Sequence, residues 1–250
     1  MFKRLLSQTR NPQGTIYLLC NLLLIVSGLL IFKASTSILL QGVGSSLIAT
    51  GIAGWVIFVV ILSEQSSRDS MAIVQRLGIV AGFTQRGAAI QDQYRDRVKR
   101  ASHQIDVLGF GLSSLREDFR NDFHVWKRNA SVRILLLDPN FPSQQFSYAA
   151  QRDSEENNPA NAIADDVRQF GKETASLIDD RFQVKLYRCI PAVNIFRVDE
   201  ELFWGPYLIG TASRNSPTII VKSYGPLFSV FTSHFEEIWS KHSYPIGAHL

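Results

Sequence analysis

Cysteine is scarce, with two residues in 250: Cys20 lies inside an apolar run and Cys189 ends a candidate strand. A disulfide scaffold is therefore excluded. Neither position has the cluster of neighbouring ligands that a metal site needs, so no metal and no cofactor is expected. Charge is sparse too, at 19% of residues against 46% hydrophobic, which excludes a disordered or collagen-like chain. Acidic residues are missing from the first 63 positions. All 22 lie from Glu64 onward, where 22 Lys and Arg balance them, whereas Lys3, Arg4, Arg10 and Lys33 have no acid among them. The net charge of +4 is thus entirely N-terminal, and the neutral polar part gives no reason to expect a nucleic-acid partner.

What the N-terminal part does have is two long uncharged runs. Thr15 to Phe32 holds one Asn and no charge, and at about 1.5 Å per residue spans roughly 27 Å, close to a bilayer's hydrocarbon thickness. Ile38 to Leu62 is longer, and the five residues KASTS between the runs suit only the turn of a helical hairpin. A signal peptide is the competing reading of the first run, but the second would remain after cleavage. A buried hairpin of a soluble protein is the other. Lys3, Arg4 and Arg10 flank the first run, and Arg68 and Arg76 follow the second, against Lys33 alone in the turn. That asymmetry predicts a multi-pass protein of the cell's inner (plasma) membrane with both termini cytoplasmic. The lipid bilayer is then the first partner. Thr50 and Gly54, and Ala49 and Ala53, are small pairs four apart, suited to packing within the hairpin or to a homo-oligomer through the second span. No charged residue lies within either span, which argues against a transporter or proton pathway.

Residues 1–64 are read as the basic segment and two spans (about 15–32 and 38–62), 65–90 as a linker and 91–250 as a cytoplasmic domain. Within the linker, GIVAGF has the look of a short strand. Ile90, Tyr94, Val98 and Ala101 fall on one helix face, and Ile105 to Phe110 reads as a strand ending in Gly109 and Gly111. Ser114 and Glu117 have capping-box spacing, and Leu115, Phe119, Phe123 and Trp126 predict one helix over about 115–129. SVRILLL, 131–137, is a strand apolar enough to be buried on both faces. The stretch from Asp138 to Pro159, polar and holding three prolines, reads as a long loop. A helix through Ile163, Val167, Phe170, Thr174, Leu177 and Ile178 follows, then four short strands (VKLYRC, NIFRVD, LFWGPYL, TIIVK) and a last helix over about 227–241.

This alternation predicts an α/β fold: a transmembrane helical hairpin followed by a three-layer α/β/α domain with a mixed sheet. Ligands in such domains sit beyond the carboxyl ends of the parallel strands, here the loops at 109–114, 138–155, 189–192 and 199–201.

The glycine-bounded turn after the first strand, the VRILLLDP strand, the VKLY strand and the following strand with Asp199 at its end together resemble one phospholipase D-like domain over about residues 70–245. The resemblance implies a catalytic HxK(x)4D motif, with the His as nucleophile and the Lys on the phosphate. Aligned on Asp199, it places Ala192 at the His position and Asn194 at the Lys position. Gly205, followed by Pro206, Tyr207 and Leu208, stands one residue early for the family's downstream GSxN. The family's site needs two such halves, so an active version would be dimeric.

No catalytic residue is assigned beyond Asp199 as a weak candidate. Asp138 and Asp199 end strands, where functional carboxylates are found. An Asp-Pro after a strand is also ordinary turn chemistry. The turn at Gly109, Gly111, Ser113 and Ser114 could hold an anion with backbone amides and hydroxyls, with Arg152, Arg188 and Arg197 as its charge partners, and Asn194, at the Lys position of the resemblance, is a further ligand-binding candidate. His103, His124, His234, His242 and His249 read as surface or satisfied helical histidines. The expectation is a membrane-anchored sensor or effector that binds a small ligand or a cytosolic protein without hydrolysis and signals to its membrane hairpin, an architecture that resembles membrane effectors of prokaryotic defence or stress. A dimeric membrane phosphodiesterase or phospholipase, and an adaptor that docks a cytosolic protein, are the alternatives.

Overall fold

Local sequence sets two separate bodies. The computed structural model describes residues 12–85 and 88–248, and the chain divides into units Met1–Ala72 and Ile73–Leu250. Lys3, Arg4, Arg10 and His249 lie outside the described residues.

In the first unit α1 covers Pro12–Ala34 and α2 Ile38–Arg76, joined by three residues. Thr15–Ala34 and Ile38–Ile61, of mean hydropathy 2.4 and 2.0, are long and apolar enough to cross a membrane. The two helices touch along a seam of glycines. A Cβ on Gly28 would stand 2.7 Å from Gly44 O, so neither position accepts a side chain without separating the helices. Gly54 packs against Asn21, whose amide donates to Tyr17 O at 2.9 Å and is buried, and Tyr17 stacks on Phe58 at 5.3 Å. Of the small residues read as pairs, Gly54 serves this intrachain contact, while Ala49, Thr50 and Ala53 stay exposed.

The second unit is built on an eight-stranded mixed sheet in the order β1-β7-β6-β5-β2-β3-β4-β8. The strands are β1 Ile79–Phe83, β2 Gln104–Gly109, β3 Ser131–Leu137, β4 Phe182–Tyr187, β5 Val193–Val198, β6 Glu201–Pro206, β7 Thr218–Lys222 and β8 Ser243–Pro245. β2, β3 and β4 run parallel, and every other pairing is antiparallel. β3, flanked by parallel neighbours, is buried from Ile134 to Leu137, as its continuous apolar run requires. The helices are α3 Ala88–Val98, α4 Ser113–Phe119, α5 Phe123–Asn129, α6 Tyr148–Glu156, α7 Ala162–Thr174 and α8 Pro226–Lys241, the last opening with Pro226 in its first turn. Tyr94 of α3 packs on Phe196 and Phe203 at 4.5 and 4.7 Å, and Trp204, pointing to the other side of the sheet, stacks on Phe231 of α8 at 4.4 Å.

Several elements differ from the sequence expectations. Within residues 65–90 the expected strand is β1, but it pairs with β7 at the edge of the sheet, and the helix before it is the continuation of α2 to Arg76. The helix expected over 115–129 is two helices. Their break at 120–122 carries an Asn and an Asp, which compete with helical hydrogen bonds. The Ser114/Glu117 box does not form. Leu112 is the N-cap, left-handed at φ 55°, and no side chain caps the helix. The long loop 138–159 contains α6, begun by Ser147, whose Oγ accepts from Ala150 N at 3.1 Å. The C-terminal residues 243–245 pair with β4 as β8.

A buried ionic group lies inside the sheet. Asp106 on β2, 1% exposed, takes Arg133 Nε at 2.7 Å and Arg197 Nη1 at 3.2 Å, and Arg133 reaches on to Glu236 of α8. Removing the shared carboxylate by Asp106→Ala is expected to cost about 3–5 kcal/mol, read from the denaturant midpoint of the full chain in detergent, because Arg197 loses its carboxylate and Arg133 keeps only Glu236. Tyr187 is a contrasting case: its hydroxyl is buried without a hydrogen-bond partner, and burial pushes its pKa far up. Tyr187→Phe deletes the orphaned group, and the same measurement should show unchanged stability or a gain of about 1 kcal/mol.

Candidate functional site

The end of the sheet at which β2 finishes and β5 begins is open. There the chain leaves β2 through Gly109, Phe110, Gly111 and Leu112 before entering α4. Leu112 holds a left-handed conformation that costs roughly 1–2 kcal/mol for a residue with a Cβ. Gly111 is buried, and a Cβ there would meet Asp166 Cβ at 2.7 Å, so this turn packs on α7 only with glycine. The result is a cleft of about 360 Å³ between β2, α3, α4, α6, α7 and the segment 212–214.

Phe110, Tyr207, Tyr94, Phe196 and Ile163 form its apolar walls. Ser113, Ser114, Asn158, Asn194 and Gln91 supply uncharged polar groups, and Arg152, Arg214, Asp118, Glu156 and Asp166 the charged ones. Asn194 lies at the start of β5, 6% exposed, and its Nδ2 donates to Gly205 O across the β5–β6 pair at 2.8 Å. Tyr207, just past β6, sets its ring 4.4 Å from that of Phe110 and donates its backbone N–H to Ala192 O at 3.1 Å.

Arg152 organises one wall. It is 3% exposed; Nη1 donates to Leu208 O at 2.8 Å and Nη2 to Thr211 O at 2.9 Å and Ser213 Oγ at 3.2 Å. Its Nε lies 2.6 Å from Glu156, one helical turn on, and its guanidinium sits over the Phe110 and Tyr207 rings. Asp166 faces Arg116 at 3.5 Å; burial nevertheless pushes its carboxyl above the usual range. Asp153, behind the cleft, accepts Ile163 N at 3.2 Å, fixing the start of α7, and burial pushes it up too.

The sequence candidates thus separate into three places. Gly111, Ser113, Ser114, Arg152 and Asn194 meet at the cleft, with Gly109 bordering it: a Cβ on Gly109 would come within 3.4 Å of Tyr207 Oη. Asp138 and Arg188 end neighbouring strands at the same end of the sheet but form a group of their own with Tyr244. Asp138, 2% exposed, accepts Arg188 Nε at 2.6 Å, Tyr244 Oη at 2.7 Å and Asn140 N at 2.9 Å. Burial raises its carboxyl, but these donors outweigh burial and hold it below the usual range, while burial and the Asp138 charge push Tyr244 up to about 12. Arg197 and Asp199 lie at the opposite end, because β5 runs antiparallel to β2. Asp199 adopts φ 50° in the two-residue turn between β5 and β6, and its carboxylate accepts Ser102, His103 and Gln104 N–H at 2.8–3.0 Å. Those amides outweigh burial and lower its pKa, so it acts as a backbone cap and is a poor proton acceptor. The loop 199–201 therefore does not join the other loops searched for ligands.

Glu156, Tyr207, Asp166 and Arg214 escaped the sequence reading. The Arg152/Glu156 spacing of four was the available signal, but it marks a pair only once 148–156 is known to be helical.

No protein-family model matches the chain, and no curated protein matches it. Among solved structures, TrmBL2, described as an archaeal chromatin protein with a novel mode of DNA binding, is 13% identical over 79% of this chain and 69% of its own, with a TM-score of 0.42. Phosphatidylserine synthase of Haemophilus influenzae is 11% identical over 66% of this chain at a TM-score of 0.41, and this chain spans 38% of its length. NucT from Helicobacter pylori is 10% identical over 65% of this chain and 96% of its own, at a TM-score of 0.36.

A carboxylate with a lowered pKa contributes stability that is present above its unfolded value, near 4, and lost as pH falls through the folded one. Acid unfolding of the full chain should therefore steepen below about pH 4. Asp138→Asn should flatten that part of the curve without abolishing it, since Asp199 and Glu236 are lowered as well. A chevron-free equilibrium series of melts from pH 6 to pH 3 checks this.

Proposed function

We propose that this is a membrane-anchored protein whose second unit, a three-layer α/β/α domain of phospholipase D-like fold, binds a ligand in the carboxyl-end cleft without hydrolysing it, and so acts as a sensor. The observation that carries this reading is Asn194, standing in the cleft wall with its amide tied to Gly205 O. In the resemblance that position belongs to the phosphate-holding Lys, and Ala192 takes the place of the nucleophile. A methyl group cannot attack phosphorus, and a neutral amide cannot balance charge developing on a phosphoryl oxygen. Among the described histidines, His103 lies just before β2 at the opposite end, His124 in α5, His234 in α8 and His242 directly after it; none lines the cleft.

The membrane part of the reading rests on the two apolar helices of the first unit and on the basic residues flanking them. With Lys3, Arg4, Arg10, Arg68 and Arg76 outside the spans against Lys33 between them, both termini face the cytoplasm, and so does the cleft.

The test uses the full chain in detergent, screened by thermal shift against nucleosides, nucleotides and lipid headgroups, beside hydrolysis of bis(p-nitrophenyl) phosphate. A ligand at about 100 Kd that binds only the folded state stabilises by about 2.7 kcal/mol, and no turnover above background should accompany it. Turnover that Asn194→Ala abolishes would overturn the reading.

A further inference from the structure

The cleft's charges show what kind of ligand it is made for. An anion needs a guanidinium or ammonium with donors to spare. Arg152, the one buried cation on its wall, has both terminal nitrogens committed to Leu208 O, Thr211 O and Ser213 Oγ and has Glu155 and Glu156 beside it. Arg116, behind Asp166, is shared between that carboxylate and Glu173 at 3.1 Å. Three carboxylates, Asp118, Glu156 and Asp166, face the same space. Arg214, exposed at the rim, makes no ion pair among the described residues. Among the described residues the interior is therefore poorly suited to a phosphate, and the one cation there without a carboxylate partner, Arg214, stands at the mouth.

What the interior offers instead is aromatic and amide surface. The Phe110 and Tyr207 rings are held in place by the Arg152 guanidinium over both of them. Asn194, more than nine-tenths buried, gives one N–H to Gly205 O, leaving its second N–H and its Oδ1 without a partner among the described residues. A primary amide with one donor and one acceptor left over at the cleft wall pairs with a ligand edge that presents an acceptor beside a donor, as a nucleobase does. A volume of about 360 Å³ lies at the small end of ligand sites, in the range of one base and its sugar.

We infer that the cleft binds a nucleoside, its base lying between the Phe110 and Tyr207 side of the wall and the Asn194 amide, with Arg214 at the mouth as the place for a 5′-substituent. This rests on the proposed ligand-binding role and names its ligand class. Recognition by an amide and apolar walls is insensitive to salt, whereas recognition by cations weakens as salt rises.

Isothermal titration of the full chain in detergent with adenosine, guanosine, cytidine and uridine, at 50 mM and 300 mM salt, tests it. Inorganic phosphate and glycerol phosphate serve as comparison probes. One nucleoside should bind saturably with a Kd unchanged by salt. Asn194→Leu should weaken it by roughly 5- to 150-fold, the range for one amide–base pair. Ser114→Trp, which starts from an exposed position at the cleft and so leaves the fold intact, should abolish it. Silence of all four nucleosides, or nucleoside binding that both variants retain, overturns the assignment. Saturable, salt-sensitive binding of phosphate or glycerol phosphate without hydrolysis also overturns it, while leaving the ligand-binding reading standing.

Discussion

A single buried guanidinium fixes the shape of the candidate site. Arg152 brings its charge out of water on α6, and the protein answers with two carboxylates from the same helix and two backbone carbonyls from the β6–β7 connection. A buried cation is tolerated only when paired and hydrogen-bonded, so the connection has to close over α6 for the fold to hold. Glu156 completes the closure by accepting the Ser213 hydroxyl and backbone N–H. The same guanidinium lies over the Phe110 and Tyr207 rings. Position of the aromatic wall and position of the 208–213 segment both follow from this one residue.

That arrangement separates the molecule's charged groups by task. Asp106 binds Arg133 and Arg197 within the sheet, and Asp138 binds Arg188 and Tyr244 where β8 joins the edge. Asp199 holds the turn at the far end of β5. Arginines that in sequence looked like partners for an anion are each answered by a carboxylate or carbonyl of the protein. The cleft is left with an amide, hydroxyls, rings and, at its mouth, Arg214 as the groups that meet a ligand.

Much of the scaffold was legible beforehand, for identifiable reasons. β3 is apolar at nearly every position because both of its faces are covered, and α7 repeats Ile163, Val167, Phe170 and Thr174 on its buried face. The two apolar helices were written in composition alone. Elements that depend on distant partners were not. β1 is an edge strand with no fully buried residue and needs β7 to define it, and β8 is three residues long. α6 carries Gln, Ser and Glu in place of an apolar stripe, since what it buries beside Ala149 is Arg152 and Asp153. The candidate site was legible in part: the turn after β2 and Asn194 were found from spacing and resemblance. Tyr207, Asp166 and Glu156 come from segments that only the tertiary fold brings together, and the antiparallel run of β5, which carries Asp199 away from the cleft, cannot be read from residue order.

The claim at the centre of this account is that Arg152 builds the cleft and does not serve as its ligand's counter-charge. Hydrogen exchange followed by mass spectrometry on the full chain in detergent, comparing the native protein with Arg152→Met, addresses it directly without any ligand. Loss of protection confined to 148–156 and 207–215, with β2 to β5 unchanged, is the result the account requires. Protection in those two segments that is the same in both proteins would contradict it.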